Sequence, residues 1–291
     1  MAETCTRGVD TGFVALGYAK VALLGVVQGI TELLPISSTA HMKIVPAMLG
    51  WQDPGSAFSA AMQLAALAAV IGYFWTDVRG LVFGSISAIA RRDFKDRNFQ
   101  LAMFITLGTV PIVIAGLGLS KWLNACNTSL RSLWVIGAAS LVMAIFLGLA
   151  ELVARRTRKL EHVTLLDTMI VGIAQCGALI PGVSRSGSTL TAALFLGMKR
   201  EEAVRFSFLL GLPAITLAGV KELWELYRIG LDAHGWSVLG VGLLVGSISA
   251  VIAIFTLMRI VERFSFWPFV VYRAFIGAFL LAGMSYGIFA G

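Results

Sequence analysis

The chain has 291 residues, 58% hydrophobic and 13% charged, and its mean hydropathy is +0.85. Soluble domains carry about 25% charged residues, so the composition excludes a water-soluble globular fold and leaves an integral membrane protein with no separate soluble domain. The net charge of +7 is that of basic loops at a membrane surface rather than of a nucleic-acid binder, and Cys5, Cys126 and Cys176 lack metal spacing and give no disulfide framework.

Met1 to Asp10 is polar and mixed in charge, without the basic start and apolar core of a signal peptide. The first apolar region covers residues 13–30 and 36–49 and is interrupted by Thr31-Glu32-Leu33-Leu34-Pro35. Stretches 57–75, 99–120 and 133–153 follow, each near the ~20 residues that cross a bilayer. A second broken region covers 164–180 and 186–198, interrupted by Pro181 to Arg185. Three more long stretches close the chain at 204–226, 236–258 and 269–290. Each piece of the broken regions is short, and each break is polar. They read as re-entrant hairpins, because irregular backbone at membrane depth must be buried in protein or line a wet cavity. The predicted fold is an all-α polytopic membrane domain over residues 1–291, with six full transmembrane helices plus two re-entrant helical hairpins.

The broken regions also resemble each other. Gly25-Val26-Val27-Gln28 parallels Gly172-Ile173-Ala174-Gln175 at an offset of 147, and Phe58-Ser59 parallels Phe206-Ser207 at 148. Leu34-Pro35 and Ile180-Pro181 each precede a hydroxyl run. Each half, about 13–153 and about 164–290, is then a hairpin followed by three spans. Three is odd, so the second copy is inverted, and such repeats place a site where the breaks meet. Loops 79–97, 155–159, 199–205 and 259–263 fall on one side with fourteen Lys and Arg, against five (Arg7, Lys121, Arg131, Lys221, Arg228) on the other. The richer side is cytoplasmic, so both termini and the mouth of the first hairpin face outward.

The chemistry concentrates in the breaks. Gln28 and Glu32, four apart, share a helix face. Glu32 falls near the C-terminal end of a half-helix, where the dipole opposes its charge; an arginine or a divalent cation, Mg²⁺ or Ca²⁺, relieves this. Ser37, Ser38 and Thr39 can cap the next half-helix and point backbone N–H groups inward. His41 lies within a turn of Ser38, close enough to exchange a proton. A lone histidine of this kind is commonly a packing residue, but beside Glu32 and two serines it reads as functional. In Pro181-Gly182-Val183-Ser184-Arg185-Ser186-Gly187-Ser188-Thr189 an arginine sits inside an apolar run, where it needs a partner or a task. Pro181 and Gly182 stop one helix and the hydroxyls start another, which makes a site for phosphate. Elsewhere, Arg273 in the last span reads equally as support for the site or as packing against a carbonyl. Glu151 and Glu222 read as solvated residues at span ends. Trp75, Trp122, Trp224, Trp236 and Trp267 read as an interfacial belt.

Gln28…Glu32 leading into Pro35-Ile36-Ser37-Ser38-Thr39-Ala40-His41, together with Pro181 to Thr189, resembles the paired motifs of the undecaprenyl pyrophosphate phosphatase family, also called the bacitracin-resistance family. The likeness runs nearly the length of the chain, including 202–208 and 264–269. It implies a bacterial plasma-membrane enzyme that hydrolyses undecaprenyl pyrophosphate to the monophosphate, recycling the lipid carrier of cell-wall synthesis and conferring bacitracin resistance. A divalent cation and a homodimer are also implied. On this basis Ser37, Thr39, Ser184, Arg185, Ser186, Gly187 and Thr189 are assigned to the diphosphate. Glu32 and Gln28 are assigned to the cation, and Ser38, His41, Glu32 and Arg185 to catalysis. Ser38 attacks, with His41 or Glu32 taking its proton; attack by His41 or by metal-bound water are the alternatives. Many members carry Glu where this chain has Gln28, which keeps an oxygen ligand but loses a charge. The rival function is a secondary transporter of polyprenyl phosphates using the same anion site without chemistry.

Overall fold

The computed structural model describes residues 5–6, 9–119, 130 and 132–287. Arg7, Lys121, Trp122, Cys126 and Arg131 lie outside the described residues, as do the distal ends of the expected spans 99–120 and 269–290. Apart from a two-residue antiparallel pairing of Cys5–Thr6 with Val9–Asp10, the described chain is helical. Among the described residues, seven helices are long and apolar enough to cross a membrane: α1 (Phe13–Leu33), α3 (Ser56–Tyr73), α6 (Arg97–Gly118), α7 (Leu133–Val153), α10 (Arg200–Arg228), α11 (Ala233–Arg263) and α12 (Trp267–Ser285). The shorter helices are α2 (Ser38–Met48), α4 (Trp75–Arg79), α5 (Ser85–Arg91), α8 (Leu165–Gln175) and α9 (Arg185–Phe195).

All six expected spans are present. The seventh is α1, expected as a half-helix ending at Ile30. It runs on through Thr31-Glu32-Leu33, because nothing in those residues breaks a helix before Pro35. Gly17, at φ 72° and ψ 176°, interrupts it near its start. Both breaks then follow one local logic. The residue before each proline is forced out of the helical region: Leu34 has ψ 145° and Ile180 ψ 116°. Two residues after Pro35, and three after Pro181, a serine caps the next helix from an unusual backbone position. Ser37 and Ser184 both have φ 73°, and their hydroxyl oxygens accept from Ala40 N and Gly187 N. A non-glycine residue in that region is strained, and such strain concentrates at functional sites.

Close helix contacts set the breaks face to face. Along α1 and α11, a Cβ at Gly25 would meet the Gly242 carbonyl at 2.7 Å, and one at Gly29 would overlap Ser249 and Gly246. The contact of α8 with α6 is similar, since a Cβ at Gly172 would overlap the Gly108 backbone. Small residues permit this approach between helices in lipid. α3 also packs on α10, and α7 on α12.

Two expectations are corrected at the charged end. The 79–97 loop is largely helical: α4 continues through a π-turn, Gly80–Gly84, into α5. Val82, Phe83, Ile86 and Ile89 are exposed along it, which suits an amphipathic segment lying on a membrane surface. Glu151 is not solvated but 2% exposed, paired with Arg200 and Arg156. Here the basic loops meet one another: Arg205 pairs with Asp77, Arg158 with Asp167 at 2.5 Å, and Arg97 donates to the Leu160 and Val163 carbonyls. Of the tryptophans expected in an interfacial belt, Trp75, Trp224 and Trp267 are exposed, whereas Trp236 is half-buried and packs on the apolar core.

Candidate active site

The last turn of α1 carries Gln28 and Glu32 on one buried face. Glu32 Oε2 accepts from Ser38 Oγ at 2.5 Å and from Gln28 Nε2 at 3.1 Å. Its other oxygen faces Arg185 Nη2 at 3.4 Å. The carboxylate of the first break is therefore neutralised by the guanidinium of the second, across 153 residues of sequence. Ser186 Oγ also crosses, donating to the Glu32 and Leu34 carbonyls at 3.4 and 3.3 Å. Room for Arg185 comes from α10, where a Cβ at Gly211 would overlap its guanidinium.

Beside this contact is a cavity of about 150 Å³, walled by Glu32, Ser38, Thr39, Ser184, Arg185 and Ser186, with Gln63 of α3 at its edge. Arg185 Nε and Nη1 are buried without a protein partner. Unpaired buried donors are costly, and two on one guanidinium beside a polar cavity fit an oxyanion.

Other predicted residues stand behind this wall. Thr189 Oγ1 is taken by the Arg185 carbonyl at 2.8 Å and Ser207 Oγ at 2.5 Å. It is 0% exposed, so it packs α9 on α10 instead of meeting the cavity. Gly187 N is spent on the Ser184 cap at 3.1 Å, and Ser37 is the cap of α2. His41 is adjacent to Ser38 on the helix but makes no hydrogen bond with it. Its Nδ1 lies 2.7 Å from the Ser37 carbonyl and its Nε2 2.6 Å from Tyr272 Oη. A carbonyl only accepts, so Nδ1 donates and Nε2 accepts from the phenol. The hydroxyl of Ser38 is Glu32's.

Arg273, 1% exposed, proves to be both of the things its sequence allowed. It donates to the Pro35 carbonyl at 2.9 Å and to those of Gly182 and Val183 at 2.7 and 3.1 Å. These are carbonyls that the breaks leave without a helical donor. Tyr272 and Gln63 were not singled out from sequence; a lone glutamine in the middle of the apolar α3 was the available signal. Among the described residues no group of three or more His, Cys, Asp or Glu could hold a metal. A hard cation nevertheless fits if the ligand shares it: Glu32 supplies one carboxylate, and Gln28 Oε1 is buried without a partner.

The fold and the site define a polytopic helical membrane protein with a buried carboxylate–hydroxyl–guanidinium centre beside a polar cavity. Residues 21–279 match the profile of the family described as Bacitracin resistance protein BacA. "Undecaprenyl-diphosphatase 2" of Mesorhizobium japonicum is 70% identical over 89% of this chain and 98% of that protein. The undecaprenyl-diphosphatases of Trichormus variabilis and Synechococcus elongatus are 46% and 47% identical, over 97% and 92% of this chain and 88% and 93% of theirs. The chain belongs to the BacA family.

Proposed function

We propose that this chain hydrolyses undecaprenyl diphosphate to undecaprenyl phosphate and inorganic phosphate, returning the lipid carrier to cell-wall synthesis. The observation that carries the mechanism is the meeting of Glu32, Ser38 and Arg185 at one buried cavity, with the N–H groups of two guanidinium nitrogens, Nε and Nη1, left over.

Those N–H groups, with the Ser184 hydroxyl, hold the diphosphate, while Ser186, whose proton goes to the Glu32 and Leu34 carbonyls, fixes one break against the other. Ser38 Oγ attacks the terminal phosphorus. The Oγ–P bond forms as the bond from phosphorus to the bridging oxygen breaks, and undecaprenyl phosphate departs with that electron pair. The Ser38 proton passes to Glu32 and on to the departing phosphate. Glu32 then takes a proton from water, whose oxygen attacks the phosphoserine; inorganic phosphate leaves and Ser38 Oγ recovers the proton. His41, with both nitrogens occupied, positions the Ser37–Ser38 turn. A divalent cation held by Glu32 and Gln28 would add charge neutralisation on the phosphates.

Rapid acid quenching with labelled substrate tests the nucleophile. An acid-stable phosphoserine is expected, and its absence from Ser38→Ala, with turnover down on the order of 10³-fold or more. An acid-labile adduct that vanishes in His41→Ala would overturn the assignment. For the cation, excess chelator is expected to abolish turnover and Gln28→Glu to tighten cation binding; full turnover in chelator contradicts it.

Re-entrant hairpins in an inverted repeat also remain our reading. Ser37 and Ser184 share one backbone angle. Each hairpin's first helix packs by glycine on the second span of the other half. Gly17 leaves residues 18–33 as the uninterrupted part of α1, 16 residues or about 24 Å of helix, short of a full crossing.

A further inference from the structure

A second cavity, of about 190 Å³, adjoins the first. Thr39, Gln63, Ala178 and Leu179 belong to both walls, so the two are consecutive chambers. In the outer one, Thr39 and Lys43 come from one face of α2, and Ser56, Ser59 and Gln63 from one face of α3.

Several features suit the outer chamber to an anion. Among the described residues, Lys43 is the one cation in its wall, as Arg185 is in the inner wall. Ser56 opens α3 behind Gly55, with no acidic residue in the first turn, so the Asp53 carboxylate is the anion that meets the positive end of that helix, where an incoming anion would compete with it. The side chains of Ser56 and Gln63 have no hydrogen-bond partner among the described residues. Lys43 Nζ rests 3.2 Å from Asp53 Oδ2, with both side chains about one-third exposed at 31% and 34%. Such a partly solvated pair is readily exchanged. Asp53 Oδ1 meanwhile accepts from Gly55 N at 2.9 Å, at the entry to α3.

Hydrolysis in the inner chamber produces inorganic phosphate, which cannot leave through lipid and needs polar walls and a counter-charge. We propose that the outer chamber is a product subsite. Lys43, the first turn of α3 and the hydroxyls of Thr39 and Ser56 hold inorganic phosphate after cleavage, and Asp53 expels it by reclaiming Lys43. The proposal rests on the phosphatase reading of the inner chamber.

The test is inhibition of the purified full-length protein by added inorganic phosphate, each variant normalised to its own phosphate-free rate. Lys43→Gln is expected to raise the half-inhibiting concentration about tenfold, the loss of one charge-assisted contact. Asp53→Asn is expected to lower it about threefold, because the competitor for Lys43 is gone. Equal inhibition of both variants and the parent, or a shift of both in one direction, overturns the proposal. Should Lys43→Gln fail to fold, Asp53→Asn decides alone: no gain in phosphate sensitivity overturns it. Equilibrium binding of labelled phosphate to the parent and Lys43→Gln repeats the comparison without turnover. A failure of the inner-site reading shows instead as full activity in Ser38→Ala, which leaves this binding comparison intact.

Discussion

The Tyr272 hydroxyl donates to His41 Nε2, and the two rings stack with centroids 5.7 Å apart. Removing the hydroxyl keeps the ring and leaves one imidazole nitrogen unpaired. A net hydrogen bond of this kind contributes about 0.5–1.5 kcal/mol. Tyr272→Phe is therefore expected to lower kcat about three- to tenfold, with the thermal midpoint little changed. A loss as deep as that of Ser38→Ala would contradict a supporting role for His41. Glu32 and Arg185 were legible in the sequence because a charge inside an apolar run is conspicuous without any structure. Tyr272 was not, because its hydroxyl matters only through a contact 231 residues away. Helical spacing likewise brought His41 beside Ser38 but could not reveal that the Ser37 carbonyl and Tyr272 hold both ring nitrogens.

At the scale of elements, α10 makes the site possible at Gly211. A methyl there would collide with the Arg185 guanidinium, which is also fastened to Glu32. Gly211→Ala is expected to insert and fold yet lose about 100-fold in turnover, the usual cost of misplacing a reacting group by about an ångström. Gly240→Ala on α11, where a Cβ meets nothing within 4 Å, is the control and should be neutral. Undiminished turnover in Gly211→Ala would mean that Arg185 has other room. Apolar length made the spans readable in advance. The helix over Trp75–Arg91 was hidden because its charged ends read as loop, and α1 outran its expected end because Thr31 to Leu33 carry no helix-breaking residue.

For the whole molecule, the fourteen basic residues counted to one side include those that meet in the pairs of Arg158, Arg200 and Arg205. Their acidic partners could not be matched from sequence, which is why Glu151 read as solvated. The positive-inside rule is the ground for expecting this end in the cytoplasm. If the first hairpin enters and leaves from the opposite face, Thr11→Cys and Gln52→Cys, in a background with the native cysteines replaced by serine, are labelled by an impermeant thiol reagent on intact cells. Lys95→Cys, on the charged end, should require permeabilisation. Labelling of Thr11→Cys and Gln52→Cys from opposite sides would show that α1 crosses completely and that the hairpin is wrong.

Arg273 has a consequence in time. It follows Pro35, whose carbonyl it satisfies, by 238 residues. A ribosome adding about 5–20 residues per second takes roughly 10–50 s to cover that interval. Throughout it the first break is already made, with the Pro35 carbonyl lacking its donor and, for most of the wait, Glu32 lacking Arg185. The two breaks are therefore tied together only after Arg273 itself has been made, long after the first break and well after the second.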